Sequence, residues 1–216
     1  MKIFLKRSFF CWFCLVFLLL NQSLANATEH TDCATRVLDD VLTTLEKQTD
    51  MKQKRQAVVD KYYRLIDFEW NARMALGRPY KDLNDVDKKE YLKEYTKFVA
   101  YSWLPKLNYD RSLNLKFNVK KNSEKLGKQD ERVCIEITAP DSAKYEVYVR
   151  IRYFPDTKTC KILDVDVEGV DLALSYRAQF ESYIEANGGR ATSILSFLKE
   201  KNKEYKKNVD FKLPVD

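Results

Sequence analysis

The sequence predicts an α+β fold: a four-stranded antiparallel sheet with amphipathic helices covering one face around an apolar cavity. Three observations lead there. Apolar residues recur at helical spacing from Asp32 to about Asn108, switch to strict alternation from Leu113 to Glu168, and return to helical spacing up to Asn202. Polar connections at Gly127 to Glu131 and Pro155 to Thr159 are too short for crossover helices, so neighbouring strands run antiparallel. A sheet with one apolar face needs a cover, and amphipathic helices flank it in sequence.

Val37, Val41, Leu42 and Leu45 share a face of a first helix, and Val58, Tyr62 and Leu65 mark a second. A short third helix, Asp67 to Leu76, is stopped by Gly77 and Pro79. The fourth is capped at Asp85, presents Tyr91, Tyr95, Phe98, Val99 and Ser102 as its inward stripe, and closes at Pro105. In the strands, apolar sets alternate with polar ones: Leu113, Leu115, Phe117 and Val119; Val133, Ile135 and Ile137; Val147, Val149, Ile151 and Tyr153; Leu163, Val165 and Val167. Asp171 caps a helix carrying Leu172, Tyr176, Phe180, Tyr183 and Ile184, which ends at Asn187-Gly188-Gly189. Ala191 to about Asn202 forms the last helix, and the polar, basic segment 203–216 is expected to be flexible.

At the start, Lys2, Lys6 and Arg7 precede twelve apolar residues, Phe9 to Leu20, and then Ala25-Asn26-Ala27. This is the pattern of a secretory signal peptide over 1–27, cleaved after Ala27. As a helix the apolar run is about 18 Å long, short of a bilayer's ~30 Å hydrocarbon core. Residues 28–202 then form one domain. Setting those three basic residues aside leaves 35 of the 38 Lys and Arg against 32 Asp and Glu, too balanced to argue for nucleic acid. Export leaves Cys33, Cys134 and Cys160 in an oxidising compartment that permits one disulfide, with the pairing open. The single histidine, His30, sits in an expected frayed terminus, which removes His-based triads, His-rich zinc sites and Cys-His pairs. No metal ligands and no catalytic residues are assigned.

Two passages resemble the MlaC family. One is Asp67-Phe68-Glu69-Trp70-Asn71-Ala72-Arg73-Met74-Ala75-Leu76-Gly77; the other is Asp164-Val165-Asp166-Val167-Glu168-Gly169-Val170, followed by Ser175-Tyr176-Arg177-Ala178-Gln179-Phe180. The likeness runs from about Val37 to Asn202. It implies a periplasmic phospholipid-binding protein, also called a toluene-tolerance auxiliary component, that carries phospholipid as cargo without a cofactor. Implied partners are an outer-membrane lipoprotein and porin complex and an inner-membrane Mce-domain ABC transporter, in the pathway that supports outer-membrane lipid asymmetry. The chain departs from the family where Asp171 replaces a common Ser, which is neutral for capping, and where Cys160-Lys161-Ile162 replaces a Trp.

Enclosing two acyl chains, on the order of thirty methylenes at ~0.8 kcal/mol each, asks roughly 24 kcal/mol of apolar contact, which needs a deep slot. The expected tail-contacting residues are Phe117, Ile135, Val149, Ile151 and Val165 from the sheet, with Leu76, Tyr80, Tyr95, Phe98, Trp103 and Tyr176 from the helices. The same stripes also suit a closed core. Arg73 and Arg177 are expected to pair with acids such as Asp67 or Glu168. The row Asp164, Asp166 and Glu168 is expected on a solvated outer face. A protein-binding adaptor without lipid, and an enzyme of a cone-shaped α+β fold using Asp67, are the alternatives.

Overall fold

The computed structural model describes residues 28–107, 109, 111–167 and 169–215. The signal-peptide reading over 1–27 and the roles given to Glu168 lie outside the described residues. Helix α1 spans Glu29–Glu46 and α2 Met51–Tyr62; α3 spans Phe68–Leu76 and α4 Asp85–Trp103. Strands β1 Lys116–Lys125, β2 Asp130–Thr138, β3 Lys144–Phe154, β4 Thr159–Val167 and β5 Val170–Asp171 follow, then α5 Leu172–Ala186 and α6 Ser193–Tyr205.

Local chemistry sets most of these boundaries. Thr28, Asp50, Asp67 and Asp171 each accept a backbone N–H in the first turn of α1, α2, α3 and α5. Asn84, not the expected Asp85, caps α4, accepting from Val86 and Asp87 at 2.9 Å each. Gly77 ends α3 with φ +67°, and a Cβ there would lie 3.1 Å from Arg177 Nε. The positive φ favours glycine, and any side chain would also have to push Arg177 aside by a few tenths of an ångström.

The sheet has five strands, not four, in the order β1-β2-β3-β4-β5, every pair antiparallel. A two-residue β5 is too short to show alternation in sequence. It folds back beside Gly169 at φ +80° and pairs Val170 with Val167. The first strand begins at Lys116, because Leu113 lies in a 3-10 turn and Asn114 takes φ +47°. Two irregularities bend the ladder. On β1, Val119 faces Ile135 but Ser123 faces Val133. On β4, Asp164 faces Arg150 while Ile162 faces Ile151, leaving Leu163 as the extra residue. Alternation therefore slips at Leu163, and Ile162 joins the apolar face instead.

Three apolar clusters hold the fold. α1 lies on the apolar face of the sheet, where Cys33 and Ala34 pack with Val133, Val149, Ile151 and Tyr153. A disulfide joins Cys33 to Cys160, and Cys134 is a buried free thiol. The second cluster lies among α3, α4, α5 and α6, built on Leu76, Tyr95, Phe98, Phe180 and Leu198. In the third, Val59 of α2 and Ala100 and Tyr101 of α4 enclose Phe211 and Leu213. This corrects the expected flexible tail: 203–205 belong to α6, and alternation of Val209, Phe211, Leu213 and Val215 with polar neighbours seats the segment against α2 and α4. The start is ordered as well, since His30 is buried with Nε2 2.7 Å from the Gln129 carbonyl.

Candidate functional site

Pairing across the strands arranges the apolar face in rows: Tyr153 with Cys160; Ile151 with Ile162; Val133, Val149 and Val165; Val119, Ile135, Val147 and Val167; Phe117, Ile137 and Tyr145. Burial falls along these rows. Ile151 is 2 % exposed near the disulfide, whereas Val167 and Tyr145 at the far end are 42 % and 48 % exposed. The face is thus sealed at one end by α1 and Cys33–Cys160 and open at the other. Among the described residues the buried acid on this face is Glu131, which accepts from Thr28 Oγ1 at 2.9 Å and from Ser123, with His30 Nδ1 3.4 Å away but not hydrogen-bonded to it. Burial works against its charge, but the bonds from Ser123 and Thr28 hold its carboxyl below the usual range.

An apolar pocket of about 140 Å³ lies between α2 and α4, lined among others by Val58, Tyr62, Ile66, Phe68, Val99 and Trp103. It approaches the sheet through Ile66, which bridges to Ile162, and Asp67 N donates to the Ile162 carbonyl at 2.8 Å. A dry apolar cavity of about 150 Å³ takes one benzene, so this pocket fits a short piece of hydrocarbon. Two acyl chains need α2 and α4 to part, or the open end of the sheet to contribute.

The eleven expected tail-contacting residues do not form one wall. Leu76, Tyr95 and Phe98 sit deep in the four-helix cluster, with Tyr80 and Tyr176 packed on it. Val149, Ile151 and Ile135 belong to the sheet cluster, with Val165 in register beside Val149. Phe117 lies toward the open end, its ring 6.4 Å from Tyr109. Trp103 alone among the eleven lines the pocket, and its Nε1 donates to Tyr176 Oη at 2.7 Å. The division follows from α4, which has two apolar sides: Tyr91, Tyr95 and Phe98 face the four-helix cluster, Trp103 lines the pocket beside α2, and Val99 touches both. The pocket residues Val58, Tyr62 and Val99 stand in the helical stripes of the sequence; their convergence on one space does not.

The outer face is polar and internally paired. Arg132 meets Asp166 at 2.7 Å, and Arg150 and Arg152 meet Asp130 at 2.9 and 2.7 Å. Burial raises the Asp130 pKa, yet the Arg152 and Arg150 bonds outweigh it and the net shift is downward. Asp164 departs from the expected solvated row. It is 6 % exposed, accepts from Asn71 Nδ2 at 3.3 Å and lies against the Asp171 carboxyl. Burial first, then the hydrogen bond and charge of Asp171, push its pKa up to about 7. Asn71 also donates to the Leu163 carbonyl at 3.0 Å and accepts from the Tyr95 hydroxyl. Among the described residues Arg177 is not paired with an acid; its Nε donates to the Met74 carbonyl at 2.9 Å, and Arg73 is exposed. Asp67 caps α3, accepting from Trp70 N at 2.9 Å.

A one-faced antiparallel sheet, sealed at one end and flanked by an apolar pocket under helices, defines an α+β protein with apolar space between its layers. The chain belongs to the MlaC family, described as MlaC protein, which it matches over residues 32–209. Its fold is similar to that of a phospholipid-binding protein from Ralstonia solanacearum, solved in complex with a phospholipid. The TM-score is 0.68 and the identity 19 %, over 83 % of this chain and 99 % of that one. No curated protein matches the chain.

Proposed function

We propose that this protein is a periplasmic phospholipid carrier. It takes the acyl chains between the apolar sheet face and the α2–α4 pocket, leaves the headgroup near water, and passes lipid between an outer-membrane lipoprotein and porin complex and an inner-membrane Mce-domain ABC transporter. That traffic supports outer-membrane lipid asymmetry. The observation that carries the reading is the graded apolar face, closed at Cys160 and open at Val167 and Tyr145. Family membership and the phospholipid held by the Ralstonia protein point the same way. Several of the polar groups described serve structure: His30 ties α1 to the turn before β2, and the outer-face acids Asp130 and Asp166 pair with arginines. We assign no catalytic step.

The test is native isolation from the host followed by denaturing mass spectrometry of extracted lipid. About one phospholipid per chain is expected. Val147→Glu, on the half-buried part of the apolar face, should lose it while keeping its far-UV circular dichroism. Lipid-free wild-type protein that is not stabilised by added phospholipid would favour the protein-binding adaptor instead.

A further inference from the structure

The segment after α6 packs against α2 and α4 beside the apolar pocket. Its anchors are polar and lie on α2. Arg55 Nη1 meets Asp210 Oδ2 at 2.6 Å, and the same guanidinium donates to the Leu104 and Pro105 carbonyls at 3.1 and 3.2 Å. Gln56 accepts from Lys212 N at 2.8 Å and donates to the Lys212 carbonyl at 3.2 Å, so one side chain holds both backbone groups of a strap residue. Between these anchors the segment alternates as a strand does, with Asp210 and Lys212 outward and Phe211 and Leu213 inward. Phe211 packs 6.2 Å from the Tyr101 ring, and Leu213 lines the pocket alongside Val99 and Trp103. The family match ends at residue 209, so the inward-facing strap residues lie beyond it.

We propose that residues 209–215 form a releasable strap that closes the α2–α4 pocket, Leu213 occupying space that the end of an acyl chain takes when the strap lifts. The proposal rests on the carrier reading for its cargo, not for its mechanics. The strap's ion pair is partly exposed, so salt and solvent weaken it. A ligand that enters only the open form has its apparent affinity reduced in proportion as the open fraction falls below one.

The probe is the apolar fluorophore N-phenyl-1-naphthylamine, titrated into delipidated protein. Three variants are compared with the full chain: Leu213→Ala, the double substitution Phe211→Ser with Leu213→Ser, and a chain ending at Asn208. Affinity should rise about tenfold or more as the open fraction approaches one. Equal affinity in wild type and the folded variants overturns the strap. Should the shortened chain or the double variant not fold, Leu213→Ala decides. Natively isolated wild type without phospholipid, together with tighter probe binding in the variants, would sink the carrier reading and leave the strap standing. Phospholipid present, with probe affinity and lipid exit rate unchanged, would do the reverse.

Discussion

Replacing Asp164 with Asn should flatten a pH dependence of stability that the native chain carries between about pH 4 and pH 7. An unfolded Asp titrates at 3.8, whereas folding moves Asp164 to about 7 by burying it and setting it against Asp171. In that window the folded protein holds a proton that the unfolded chain has released. Stability therefore falls as pH rises and levels off above about 7. At 1.36 kcal/mol per pH unit, the interval from 3.8 to about 7 amounts to about 4 kcal/mol. Asp130 and Glu131, whose pKa values are lowered, act in the opposite sense and lower on the scale, losing their stabilisation as acid protonates them. The windows are thus separable. Urea unfolding followed by circular dichroism from pH 4.5 to 8.5 measures the slope. Asp171→Ser keeps a cap for the Leu174 N–H and removes the neighbouring charge, so its slope should persist from burial alone and end at lower pH. A wild-type profile that is flat, or parallel to that of Asp164→Asn, refutes the reasoning.

The Cys33–Cys160 bond closes a span of 127 residues, for which chain entropy predicts a stabilisation of about 5 kcal/mol. Replacing both cysteines by Ser should lower the urea midpoint accordingly, and a loss under about 1 kcal/mol would contradict the entropic argument. Asn71→Ala removes the partner shared by Tyr95, Asp164 and the Leu163 carbonyl. We expect a cost of about 1–3 kcal/mol per group left unsatisfied, measured by thermal or urea unfolding. Unchanged stability would mean that water replaces the amide.

Much of the architecture was legible because the signals are local. The change from helical spacing to alternation near Leu113 marks the start of the sheet region, and Asp67, Gly77 and Asp171 act as caps and stops through atoms within a few residues. The outer acid row was read from the same alternation and failed at Asp164. The bulge at Leu163 and the arrival of Asn71 from α3 bury that position, and neither is written into the local pattern. The candidate site was less legible still. Composition and spacing picked out apolar stripes, yet a stripe does not name the stripe it meets. Phe98 and Trp103 belong to one helix, α4, and serve different spaces, with Val99 between them touching both.

The sequence by itself determined the order and type of most elements and the one-sided sheet, since periodicity and capping act over a few residues. Only the tertiary structure decided that Cys33 meets Cys160, that β5 extends the sheet, that Asp164 is buried beside Asp171, and that 209–215 cover a pocket. Each of these depends on which surfaces of distant segments come within a few ångströms, and that is set by the packing of the whole chain rather than by any stretch of it.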